Sequence, residues 1–146
     1  EARPAPRGKA RKERGSSMKT SDLTGVALDW AVAKCEGHDA HVYGGIVRTT
    51  MCKMFGSECK YSTDWLQGGP IIEREGIPIR KHSSGTWYAH MNLGDGERAQ
   101  WHKHEWVTSK VQKQVRFDGP TPLVAAMRCY VASKLGDEVD VPEELL

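Results

Sequence analysis

The chain has 146 residues, 38% hydrophobic and 27% charged, with a formal net charge of +2. The length suits one domain, the composition excludes a wholly disordered chain, and no apolar run approaches the roughly 20 residues needed to span a bilayer. The net charge excludes a strongly basic nucleic-acid-coating protein, because six of the cations (Arg3, Arg7, Lys9, Arg11, Lys12, Arg14) fall within the first 17 residues, leaving the rest net negative.

Residues 1–17, "EARPAPRGKARKERGSS", hold no apolar side chain larger than Ala or Pro. Such a segment buries too little surface to offset its ordering entropy, which predicts a disordered basic tail. No apolar stretch follows its basic residues, as a secretory signal would require. Met18 stands directly before a well-formed domain start, and Lys12-Glu13 can be encoded by AAGGAG, a ribosome-binding sequence. The expectation is that translation starts at Met18, that residues 1–17 are leader, and that residues 18–146 form one domain.

The first helix is predicted over residues 23–36. Leu23, Val26, Ala27, Trp30 and Ala33 follow one helical face, and Leu28, Ala31, Val32 and Cys35 make much of the rest apolar. That pattern predicts a helix covered on more than one side. Beyond Gly37 the period changes. "HVYGGIVRTTM", "PIIEREGIPIRK", "TWYAHM" and "KVQKQVRF" are short β-rich runs broken by Gly and Pro. In the last run Val107, Val111 and Val115 also have helical spacing. A further helix follows Thr121, a natural N-cap, with Pro122 at its first position and Gly136 as an αL stop. The closing "DEVDVPEELL" reads as an acidic extended tailpiece. The order helix, strands, helix predicts an α+β domain, two main helices packed on a small antiparallel sheet.

Chemistry-bearing patterns are sparse. The four cysteines (Cys35, Cys52, Cys59, Cys129) form no CxxC pair and read as reduced thiols. His38 with His41, and His102 with His104 on one strand face, could chelate, but no third ligand completes a zinc set. "GDGERAQWHKHEW" reads instead as a polar loop, and no metal is expected. There is no nucleophile elbow and no glycine-rich phosphate loop. Trp101, Trp106 and Phe117 interleave with His102, Lys103, His104, Lys110, Lys113 and Arg116, a pattern that grips single strands or blunts an edge strand.

The densest stretch is "YSTDWLQGGPIIEREG", residues 61–76. Ser62 or Thr63 would cap a short helical turn ended by Gly68-Gly69-Pro70. The following residues would then be extended, with Glu73 and Glu75 on one face. Those two carboxylates with Asp64 are candidates for acid–base work or for holding Mg²⁺.

"LTGVALDWAVAKCEG", "YSTDWLQGGPIIEREGI" and "GPTPLVAAMRCYVASKLGDEVDVPEEL" together resemble the phage NinX-like family, small bacteriophage and prophage proteins of unknown function. The resemblance covers about half the chain, and residues 84–117 carry none of it. The positions matching the pattern are Trp30, Asp64, Trp65, Gly68, Gly69, Pro70, Glu73, Arg74, Glu75, Arg128 and Tyr130. The family carries no catalytic residues or cofactor across. What it implies is a phage accessory protein acting in the host cytoplasm. The expected activity is non-enzymatic binding of a host or phage protein, with nucleic acid as the other partner class. The expected surface comprises Trp65, Gly68, Gly69, Pro70, Arg74 and Arg128, with Arg128 or Arg74 pairing the loop's carboxylates. The alternative is a metal-dependent enzyme acting on nucleotides or nucleic acid through Asp64, Glu73 and Glu75.

Overall fold

The computed structural model describes residues 15–50 and 58–146. The expectations for residues 1–14 and for Cys52 lie outside the described residues. Among the described residues there are three α-helices: α1 (Gly25–Cys35), α2 (Trp65–Glu75) and α3 (Pro122–Leu135). Seven strands among the described residues form three separate antiparallel sheets. β1 (Gly15–Lys19) pairs with β7 (Glu138–Pro142), β2 (His41–Tyr43) with β3 (Ile46–Arg48), and β4 (Ile79–Lys81) with β5 (Trp87–His102), which pairs with β6 (Glu105–Gly119). The class is α+β, as expected. The expected arrangement of two helices on one sheet is replaced by three helices and three sheets.

α3 is the centre of the molecule. Thr121 caps it, its hydroxyl accepting from the Val124 amide at 3.2 Å, and Pro122 occupies the first turn. Every residue from Leu123 to Ala132 is buried. One side packs on β5 and β6, another on α1 and α2. Small residues allow the close approach: the Cys129 thiol donates to the Ala89 carbonyl across a 2.9 Å gap. Gly136 does end the helix with φ 90°, but its ψ of −165° is not αL.

α1 starts two residues later than the apolar pattern suggested, after Thr24. Ala27, Leu28, Ala31, Val32 and Ala33 are buried, so it is covered on more than one side as expected. Gly15–Ser17, which composition placed in the tail, open β1. Ser16 sits opposite Val141 and Met18 opposite Val139, so the acidic tailpiece has a strand partner. Thr20 then fixes the end of α3, its hydroxyl donating to the Gly136 carbonyl at 2.7 Å.

α2 is the main departure. The window 61–76 holds a single helix, capped by Asp64 rather than Ser62 or Thr63 and ended by Gly76 at φ 62°, ψ 46°. Pro70 lies inside it and removes one intrahelical hydrogen bond. Gly68 and Ile71 are buried, and Ile72 packs against the core, at helical rather than strand spacing. Burying that face outweighs the turn preference of Gly-Gly-Pro. At Gly68 the approach is so close that a Cβ would collide with the Tyr61 carbonyl oxygen and lie 2.7 Å from Leu123 Cδ2.

Cys35 and Cys129 are free thiols, and burial first of all pushes each up to about 12. Cys59 is disulfide-bonded, which corrects the reading of four reduced cysteines.

Candidate functional site

The sequence candidates separate into a partly buried joint and an exposed arm. The joint lies where the end of α1 meets α2 and α3. Glu36 follows α1 directly. Arg74 grips it with both prongs of its guanidinium, Nη2 to Oε1 at 2.5 Å and Nη1 to Oε2 at 3.2 Å. The Tyr130 hydroxyl donates to Glu36 Oε1 at 2.7 Å and accepts from Arg74 Nη2 at 3.2 Å. Arg74 Nε reaches Glu75 Oε1 at 3.1 Å. Burial alone would raise the Glu36 pKa, but hydrogen bonds from Arg74 and Tyr130 outweigh it and the net shift is downward. Burial, then the bond to Glu36, pushes Tyr130 up, and the hydrogen bond to Glu36 raises Arg74. This charge-assisted cluster ties three helices together.

The three candidate carboxylates do not converge. Asp64 Oδ1 accepts from the Leu66 amide at 2.9 Å, an ordinary N-cap. Glu73 is exposed and forms no ion pair among the described residues. Glu75 is held by Arg74. On a helix, Glu73 and Glu75 are about 200° apart and Asp64 lies about 14 Å further along the axis. The shared strand face expected for Glu73 and Glu75 is therefore absent, because the segment is helical.

Arg128 does not reach that region. It is buried, and its Nε donates to the Leu23 carbonyl at 2.9 Å and its Nη1 to the Asp118 carbonyl at 2.7 Å. Burial lowers its pKa, and the field of Asp22 opposes this. Its role is to join α3 to the end of β6 and the start of α1. Gly69 and Pro70 are helix residues. Trp65 and Leu66 begin α2 with 54% and 74% exposure, so this edge is the accessible part of the expected surface.

The sequence reading passed over Asp29. It sits on α1 between Leu28 and Trp30, only 5% exposed, and accepts from the Ser62 amide at 2.7 Å. Burial pushes its carboxyl up to about 6 against that hydrogen bond and the field of Lys60. A carboxylate inside an apolar helical run was the available signal. Glu36 offered none, since nothing local links it to Arg74.

The arm is the outer part of the β5–β6 hairpin. The stretch expected to be a polar loop is strand, turn and strand, and the register runs from Trp87↔Gly119 to His102↔Glu105. A bulge between Asn92 and Asp95 divides it. Lys103 and His104 form the two-residue turn with φ 44° and 72°. His104 is thus in the turn and does not share a strand face with His102. Among the described residues no group of three or more His, Cys, Asp or Glu could hold a metal ion. Val107 and Val115 lie on this strand, so their spacing does not mark a helix.

At the tip, Trp101 sits opposite Trp106, edge to face with centroids 5.5 Å apart. They are 60% and 70% exposed. At the base, Arg116 lies 4.1 Å over the Tyr88 ring, and His82 packs on Tyr88 and pairs with Asp118 at 3.3 Å. Lys103-His104 carries neither asparagine nor glycine, the usual signal of such a turn, and this hides the pairing of Trp101 with Trp106.

The site is therefore that of a small α+β protein with a committed polar joint and a projecting aromatic ribbon. The model of the family described as "Bacteriophage P22, NinX" matches residues 19–134, and the chain belongs to that family. No curated protein matches the chain. No helix among the described residues is long and apolar enough to cross a membrane.

Proposed function

We propose that this phage accessory protein acts by binding another protein in the host cytoplasm rather than by catalysis. The observation that carries the reading is the exposed Trp101–Trp106 pair at the tip of the arm. Exposed tryptophans are costly to leave in water and are over-represented among the residues that dominate protein interfaces. The Trp65–Leu66 edge supplies a second apolar contact. The enzyme alternative lacks support because Asp64, Glu73 and Glu75 are separated and two of them are engaged structurally. The Cys59 disulfide pulls against a reducing compartment, where such bonds are rare.

Lys103, Lys110 and Lys113 beside the tryptophans favour nucleic acid as the second reading. Both are tested by affinity capture from phage-infected cells with and without nuclease. The expected result is a protein retained through nuclease treatment and lost with the Trp101→Ala/Trp106→Ala variant. Capture that disappears with nuclease supports the second reading. Identical capture by both forms of the protein would overturn the role of the arm.

A further inference from the structure

The outer hairpin has an unfinished edge. Among the described residues β6 has no strand on its outer side, and the β4 segment covers β5 only as far as His90, whose amide donates to the Pro78 carbonyl. An isolated two-stranded ribbon is marginal in water and needs a third strand or a packed face. Lysines on β6 would ordinarily discourage strand addition.

The sequence of β6 is nonetheless compatible with its own copy. In a two-residue hairpin with positive φ at both turn positions, the closing pair is hydrogen-bonded, here His102 with Glu105. Alternation along the ladder then points the amides of the even-numbered β6 residues outward. Two copies of β6 run antiparallel about a two-fold axis at position 111 would pair even residues with even residues, as edge hydrogen bonding demands. In that register Trp106 falls opposite Arg116, Val107 opposite Val115, Thr108 opposite Gln114, Ser109 opposite Lys113 and Lys110 opposite Gln112. No cation meets a cation. Arg116 already lies over Tyr88 and is side-chain exposed, so Trp106 of the second copy would meet a guanidinium that binds aromatic faces. The outward Asp118 carbonyl is occupied by Arg128, which sets the end of the pairing at Arg116.

We infer that the chain forms a two-fold dimer by antiparallel β6–β6 pairing centred on position 111, joining two three-stranded sheets into one. The isologous geometry lays each arm along the base of its partner's β6 and leaves both Trp101 rings outward.

Sedimentation velocity on the full chain up to about 100 µM, ample for a small interface, tests the inference. A concentration-dependent dimer is expected for the native chain, and a monomer for Lys110→Pro, which removes an outward amide without touching the β5 ladder. Val111→Cys tests the register independently of that variant's folding. Only at the two-fold position does a residue face its own copy, so Val111→Cys should cross-link under mild oxidation and Ser109→Cys should not. A native chain that stays monomeric throughout, or equal cross-linking at both positions, overturns the inference.

Discussion

The joint around Glu36 and the arm tip around Trp101 use the same residue types in opposite ways. In the joint, Arg74 and Tyr130 share one carboxylate, and every polar atom that approaches it is answered. At the arm tip, Trp101 and Trp106 stand largely in solvent and pack edge to face on each other. The lesson is that aromatic-plus-cation composition does not report function. Exposure and the number of elements tied together do. The densest sequence motif is architecture, and the exposed aromatic pair lies on the arm, which the family model also spans.

The comparison breaks first if the joint is not tightly packed. Gly68→Ala drives a methyl group into the Tyr61 backbone and the Leu123 side chain. Backbone cannot yield as a side-chain end can, so the expected loss is on the order of 3 kcal/mol, read by urea unfolding. Gly69→Ala is the internal control. Its Cβ would meet only the Trp65 ring, at 3.8 Å, and alanine favours the helix by about 0.5–1 kcal/mol. Equal effects at the two positions would mean that α2 does not press on the Tyr61 loop.

Asp29 sharpens the contrast through pH. Its folded pKa of about 6 lies above the ordinary 3.8, so the folded state binds the proton more tightly than the unfolded chain. Its stabilising contribution is complete below the unfolded value and is lost as pH rises through about 6, roughly 2–3 kcal/mol in all. Asp29→Asn keeps an acceptor for the Ser62 amide and cannot ionise. The melting temperature of the native chain relative to this variant should therefore fall between pH 4 and pH 7. A constant difference across that window would show that the carboxyl does not titrate there.

Arg74→Ala comes next, at about 1–2 kcal/mol near neutrality, discounted because Arg74 is half exposed. Since the Glu36 pKa is lowered, the loss should shrink as acid protonates that carboxylate below its ordinary 4.5. A pH-independent loss would assign the effect to packing of the Arg74 stem rather than to the ion pair.

These residues also show what the sequence could carry. α3 was legible to its cap because Thr121, Pro122 and an uninterrupted apolar run agree with one another. α2 was misread because Gly68, Gly69 and Pro70 argue locally for a turn, while the force that overrides them, contact with Tyr61 and Leu123, is long-range. Arg74 meets a carboxylate of the same stretch, Glu75, while Arg128 meets none and donates to backbone carbonyls. Their distant partners, Glu36 at 38 residues' separation and the Leu23 carbonyl at 105, are products of topology. The arm was hidden by its turn, since Lys103 and His104 occupy positive φ where asparagine and glycine are the usual signal.

The smallest effect on stability is expected where the effect on function should be largest. Trp101 and Trp106 are mostly in water and touch the core nowhere, so removing both should cost less than about 0.5 kcal/mol. For a chain of this size that is a shift of about 1–2 °C in melting temperature, measured in dilute solution so that self-association does not contribute. The double alanine variant should therefore be a folded protein that has lost its partner. A fall of many degrees would mean that the tip is buried against something in solution even when dilute. The arm would then be structural like the joint, and the distinction between the two regions would be gone.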